Sequence, residues 1–71
     1  MNKYREGVAT IHGNIRKILR GRKRGLKAYE IVNEYARKFK VVYSDSAMTA
    51  RMREMKDIKC NLSNYHYTLE K

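Results

Sequence analysis

The feature that most constrains this fold is a change of hydrophobic period near residue 57. Upstream, apolar residues recur every three or four positions, the spacing of helices buried on one side. Downstream they recur at every second position, the spacing of strands. Val8, Ile11, Ile15, Ile18 and Leu19 form the first stripe, and the spacing predicts a helix over 8–20. Ala28, Ile31, Val32, Tyr35, Ala36 and Phe39 predict a second over 28–39. Met48, Met52 and Met55 mark the buried seam of a third, over 44–56. Ile58, Cys60 and Leu62 then alternate with polar residues, as do Tyr65, Tyr67 and Leu69. Ser63-Asn64 lies between the two runs, which predicts a β-hairpin closed by a tight turn. Proline is absent, so nothing breaks the helices. The expected fold class is α+β, mainly α: three helices followed by a C-terminal hairpin.

Local signals place the boundaries. Gly21-Arg22-Lys23-Arg24-Gly25 is a helix stop and a basic loop, after which Leu26 re-enters the core. Thr10 is a candidate cap for a shorter first helix, and Gly13 within the pattern costs up to about 1 kcal/mol. The second helix carries Glu30 and Glu34 early and Arg37 and Lys38 late, which suits its dipole. Lys40-Val41-Val42-Tyr43 is too short for an element of its own, and Ser44 reads as an N-cap with Asp45 in the first turn. Residues 1–7 read as a polar, loosely docked arm. At 71 residues the chain is one domain, 1–71.

Charge narrows the function. Lys and Arg number 17 against 7 Asp and Glu, a formal net charge of +10. Self-repulsion on that scale destabilises a small domain and points to a polyanionic partner: DNA, RNA or an acidic membrane. A chain this short buries only about 60% of its unfolded surface, and its core supplies roughly 3–5 kcal/mol. A deep catalytic pocket would compete for those same side chains. Paired carboxylates, a nucleophile–base set, a metal cluster and a phosphate loop are all missing from the sequence. The chain is therefore read as a binding module, not an enzyme, with no cofactor, no metal and no small-molecule substrate. Cys60 is the sole cysteine and forms no intrachain disulfide, which suggests a reducing compartment. No stretch has the length of a membrane span or the apolar core of a secretory signal, so no membrane role is expected.

The third helix carries the functional signal. At about 100° per residue, Ser46, Thr49, Ala50 and Arg53 fall within an arc of about 100°, opposite the three methionines. Small residues let a helix enter a groove. Ser and Thr reach phosphates or base edges, and Arg binds guanine O6 and N7 bidentately. Two helices joined by a short turn and followed by a hairpin resemble the winged helix-turn-helix family. The segment Tyr43-Ser44-Asp45-Ser46-Ala47-Met48-Thr49-Ala50-Arg51-Met52-Arg53-Glu54-Met55 resembles that family's recognition helix. The resemblance covers about residues 10–70. It implies that Ser46, Thr49, Ala50 and Arg53 face bases in the major groove, while Ser44, Arg51, Lys56 and Lys59 face phosphates, with the hairpin as a wing. Two departures stand out. The hairpin turn offers Ser63, Asn64 and His66 in place of a cation, and the turn before the third helix has Val41-Val42 where glycine is usual.

Seven cations lie between Arg16 and Lys27 without one acid, and Arg22, Lys23 and Arg24 are assigned to phosphate contact. Tyr35, Tyr65 and Tyr67 are expected to pack inward, leaving Tyr43 as the tyrosine closest to a functional role. His12 and His66 are read as surface or edge residues, and Cys60 as a small core residue. The function expected is sequence-specific binding of double-stranded DNA by a small transcriptional regulator. Its size is reminiscent of phage, prophage or mobile-element proteins. It would work in the cytoplasm at the nucleoid (the host's, if phage-encoded), as a homodimer or with a cooperating protein. The competing readings are a basic protein that docks on a host protein as an inhibitor, and an RNA-binding protein.

Overall fold

The computed structural model describes residues 6–70. Three α-helices, α1 (Val8–Leu19), α2 (Ala28–Phe39) and α3 (Asp45–Arg53), precede two antiparallel strands, β1 (Ile58–Asn61) and β2 (His66–Leu69). The expected α+β order of three helices and a hairpin is present. Ile58 pairs with Leu69 at the open end of the hairpin and Asn61 with His66 at the closed end. The N-terminal arm expected at 1–7 lies outside the described residues except for Glu6 and Gly7.

The helical stripes close on one another. Ile11, Ile15, Ile18 and Leu19 of α1, Ile31, Val32 and Tyr35 of α2, and Met48 and Met52 of α3 are buried in one cluster with Met55. Leu26, Tyr67 and Leu69 pack on its edge. Val8 departs from the expected stripe: it is 45% exposed, and the buried residues of α1 begin at Ile11. Gly7, not Thr10, is the N-cap of α1. Ser44 caps α3 as expected, its hydroxyl accepting from the Ala47 N–H at 3.1 Å.

The basic loop is pinned to the hairpin. Leu26 exchanges two backbone hydrogen bonds with Tyr67, donating at 3.0 Å and accepting at 2.7 Å. Gly25 makes that approach possible. Its φ is +75°, and a Cβ there would meet the Tyr67 carbonyl oxygen and lie 2.6 Å from Thr68 Cγ2. The turn between α2 and α3 manages without glycine because Lys40 itself takes the left-handed conformation, with φ +62°.

Two element ends differ from expectation. Helix α3 stops at Arg53 and not at Lys56. The Glu54 N–H turns back to the Arg51 carbonyl and the Met55 N–H to Met52, tightening the exit. Met55 is buried from this turn, so it satisfies the apolar spacing without being helical. The hairpin connection is four residues, 62–65, in place of a two-residue Ser63-Asn64 turn. The Asn61 and Asn64 side chains accept from the Ser63 and His66 N–H groups, and Tyr65 adopts φ +58°. Alternation therefore ends before the tip. Leu62 is 78% exposed and Tyr65 is 65% exposed, which overturns the inward placement of Tyr65. Tyr35 is fully buried and Tyr67 half-buried, as expected.

Candidate nucleic-acid interface

Helix α3 is anchored by the burial of Met48 and Met52, and this orients its other face outward. Ser46, Ala50 and Arg53 are exposed and Thr49 is half-buried. These four side chains, with Asp45, line an open depression of about 270 Å³. The structure thus brings together all four residues assigned to base contact. It adds Asp45, whose only signal in the sequence is that of a first-turn acid. A fork of guanidinium donors, two hydroxyls, a methyl and a carboxylate on one convex element is a set able to read base edges.

The residues assigned to phosphate contact divide by their partners. Ser44 is committed as an acceptor at the helix cap, and its hydroxyl proton remains free to donate. Arg51 holds Glu54 at 2.9 Å, Lys59 holds Glu70 at 3.0 Å and Arg22 lies 3.6 Å from Glu34. Lys56, Lys23 and Arg24 are exposed and have no carboxylate partner among the described residues. Arg22 and Lys23 do not share the α3 depression. They line a separate hollow of about 680 Å³ with Arg20, Leu19 and Leu69, where the end of α1 meets the open end of the hairpin.

Arg16 belongs to the framework. It holds Asp57 through two guanidinium nitrogens, at 2.7 and 3.3 Å, tying α1 to the segment that leads into β1. The hydrogen bond from Arg16 keeps the Asp57 carboxyl below the usual carboxylate range. Glu34 is held low in the same way, chiefly by Arg37.

Tyr43 is structural as well. Its hydroxyl donates to Glu6 at 2.8 Å, and its ring meets Tyr35 edge-on at 5.3 Å. Tyr35 donates to the same Glu6 oxygen at 2.5 Å and accepts from Asn14 at 3.0 Å. Burial first, and the bond to Glu6 second, push the Tyr43 hydroxyl up to about 12. This polar chain joins α1, α2 and the entry to α3. His12 meets Glu54 at 3.0 Å, fixing the other end of α3 against α1. No group of three metal-ligating side chains comes together among the described residues, and no helix there is long and apolar enough to cross a membrane.

No protein-family model, no curated protein and no solved structure matches this sequence.

Proposed function

We propose that this chain binds double-stranded DNA with sequence preference, as a small transcriptional regulator of winged helix-turn-helix type. The observation that carries the reading is the α3 depression, where Ser46, Thr49, Ala50 and Arg53 converge opposite a fully buried methionine face. A helix about 10–12 Å across matches a major groove about 12 Å wide. Small side chains on the outer face allow that insertion. In this reading Arg53 takes a guanine edge and Ser46, Thr49 and Ala50 set the flanking contacts. Ser44, Arg51 and Lys56 meet the backbone beside the helix. Lys59, Arg22, Lys23 and Arg24 meet phosphates farther along the duplex, and the surplus of +10 supplies most of the affinity.

Nine helical residues reach only a few base pairs, so useful occupancy needs a homodimer on a two-fold site or a cooperating protein. Regulation would follow from occupancy, in the cytoplasm, at the nucleoid. Selection of bound duplexes from a random pool tests the reading, followed by titration of Arg53→Ala and Lys23→Ala over several salt concentrations. Arg53→Ala should cost about 1–3 kcal/mol on the preferred site and flatten discrimination at one base pair. Lys23→Ala should weaken all duplexes alike and lower the salt slope by about one. Binding to one protein with no sequence preference among duplexes would replace this reading with the docking alternative.

A further inference from the structure

The hollow between the end of α1 and the open end of the hairpin holds more than phosphate contact uses. Its walls are tied together. Arg16 holds Asp57 at 2.7 Å, the Glu70 N–H donates to the Asp57 carbonyl at 2.7 Å, and Lys59 holds Glu70 at 3.0 Å. Both acids of the lining are therefore occupied. The cations are not. Arg20 and Lys23 are exposed and have no carboxylate partner among the described residues, and Arg22 lies 3.6 Å from Glu34. Leu19 and Leu69 line the same space of about 680 Å³, with Leu69 half-buried at the edge of the core. The hollow thus sets surplus positive charge beside apolar side chains. A nucleic-acid backbone is held by cations and has no use for two leucines.

We propose that this hollow docks an acidic segment of a partner protein, one whose carboxylates flank large apolar side chains, and that the segment competes with DNA for Arg22 and Lys23. The docking site stands on the hollow itself, and the competition rests on the DNA-binding reading. Carboxylates match the guanidinium forks of Arg20 and Arg22, while an apolar side chain between them covers Leu19 and Leu69. Other occupants fit less well. Small-molecule sites are lined mainly by hydrophobic and aromatic side chains and enclose about 70–90% of the ligand. This hollow is open, and its lining has two leucines and no ring. A second copy of the chain would bring its own +10 against the same cations. Competition follows from shared groups: a cation paired with a carboxylate is withdrawn from phosphate. By linkage, the segment and the duplex then weaken each other by the same factor.

The probe is a dye-labelled synthetic peptide in which glutamates flank two leucines, read by fluorescence anisotropy on the full chain without DNA. It should bind. Replacing its leucines with serine, or its glutamates with glutamine, should each weaken it about tenfold or more. Arg20→Glu lies outside the residues assigned to DNA and should weaken the peptide about five- to fifteenfold, the effect of reversing one charge at about 5–8 Å. Its circular dichroism spectrum should stay native, since the side chain is exposed. With peptide at saturation, the selected duplex should bind more weakly, and its salt slope should fall by about two as two cations leave the phosphates. A serine peptide that binds as well as the leucine peptide would overturn the site, because charge alone would then explain it. An Arg20→Glu chain that binds the peptide like wild type would overturn it too. Peptide and duplex bound together without mutual weakening would overturn the competition. Peptide binding by a chain that binds no duplex would overturn the DNA reading and leave the docking site standing. Duplex binding without peptide binding would do the reverse and assign Arg22 and Lys23 to phosphates alone.

Discussion

Substitution of Gly25 by alanine isolates the contact that fastens the hairpin to the helices. Gly21 and Gly25 have nearly the same φ, +82° and +75°. A left-handed conformation costs a residue with a Cβ about 1–2 kcal/mol, so this part of the penalty is common to both sites. The surroundings differ. A Cβ at Gly21 meets nothing within 4 Å, whereas at Gly25 it collides with the Tyr67 carbonyl and Thr68 Cγ2. Relieving that collision means moving residue 25 away from β2, which breaks the two hydrogen bonds between Leu26 and Tyr67. At about 0.5–1.5 kcal/mol each, their loss adds about 1–3 kcal/mol. Gly21→Ala should therefore destabilise by about 1–2 kcal/mol and Gly25→Ala by about 2–5 kcal/mol. The larger figure reaches the whole supply expected from a core of this size, about 3–5 kcal/mol. Urea unfolding at 25 °C measures both variants. Amide exchange at Leu26 and Tyr67 shows whether the hairpin has detached while the helices persist. Equal destabilisation of the two variants would refute the argument, since the clash would then cost nothing.

Met52→Asp should leave the chain unfolded by circular dichroism, because Met52 is 1% exposed and a carboxylate there has no partner; a native spectrum would mean that α3 buries its other face. The Asp57 carboxyl titrates lower in the folded chain than the ordinary value of 3.8, so its bond to Arg16 stabilises the fold above that pH. The gap in melting temperature between wild type and Asp57→Asn should therefore be constant from neutral pH down to about 5. It should narrow as the pH falls further, and a gap that widens in acid would show the sign to be wrong.

The helices were legible in the sequence because each buries one face, and a buried face repeats at the helical period. The same logic failed where the core stops. Val8 continues the spacing of Ile11 and Ile15 but is 45% exposed. Met55 continues the spacing of Met48 and Met52 but is reached through a tighter turn. Alternation was carried one residue too far on each side of the hairpin, although Asn61 and Asn64 were a visible signal that side chains would close the turn there. Local pattern says nothing about the polar framework. Glu6 meets Tyr43 across 37 positions, and Arg16 meets Asp57 across 41. Such pairs depend on how the elements pack, so Tyr43 and Arg16 stood out as free groups in the sequence when both serve the scaffold. The outward face of α3 was legible because it is the complement of a buried one, and a helix with one face fixed has the other fixed as well.

Asp45 carries the last prediction. The chain has seven acids, and six of them are engaged. Glu6 holds two tyrosines, Glu30 accepts from the Lys27 N–H, Glu34 meets two arginines, Glu54 meets Arg51 and His12, Asp57 holds Arg16, and Glu70 holds Lys59. Asp45 alone is exposed without a side-chain partner among the described residues, and it lines the α3 depression at the opposite end of the helix from Arg53. An unpaired carboxylate on a DNA-facing surface opposes affinity. At about 5–8 Å from a phosphate in water it costs about 0.5–0.8 kcal/mol. It can also accept from the cytosine N4 amino group, which a lysine or arginine cannot do. Asp45→Asn should then bind scrambled duplexes two- to fourfold more tightly, the equivalent of about 0.5–0.8 kcal/mol. Asp45→Ala, which removes the accepting oxygen that asparagine keeps, should lose about 1–3 kcal/mol of discrimination at one G·C pair of the preferred duplex. Loss of the first-turn charge would also lower helix stability by about 0.3–1 kcal/mol, a small fall in melting temperature that is measured separately. If instead Asp45→Ala weakened preferred and scrambled duplexes by the same factor, Asp45 would act only through the stability of α3. The reading of bases would then rest on Ser46, Thr49, Ala50 and Arg53 alone.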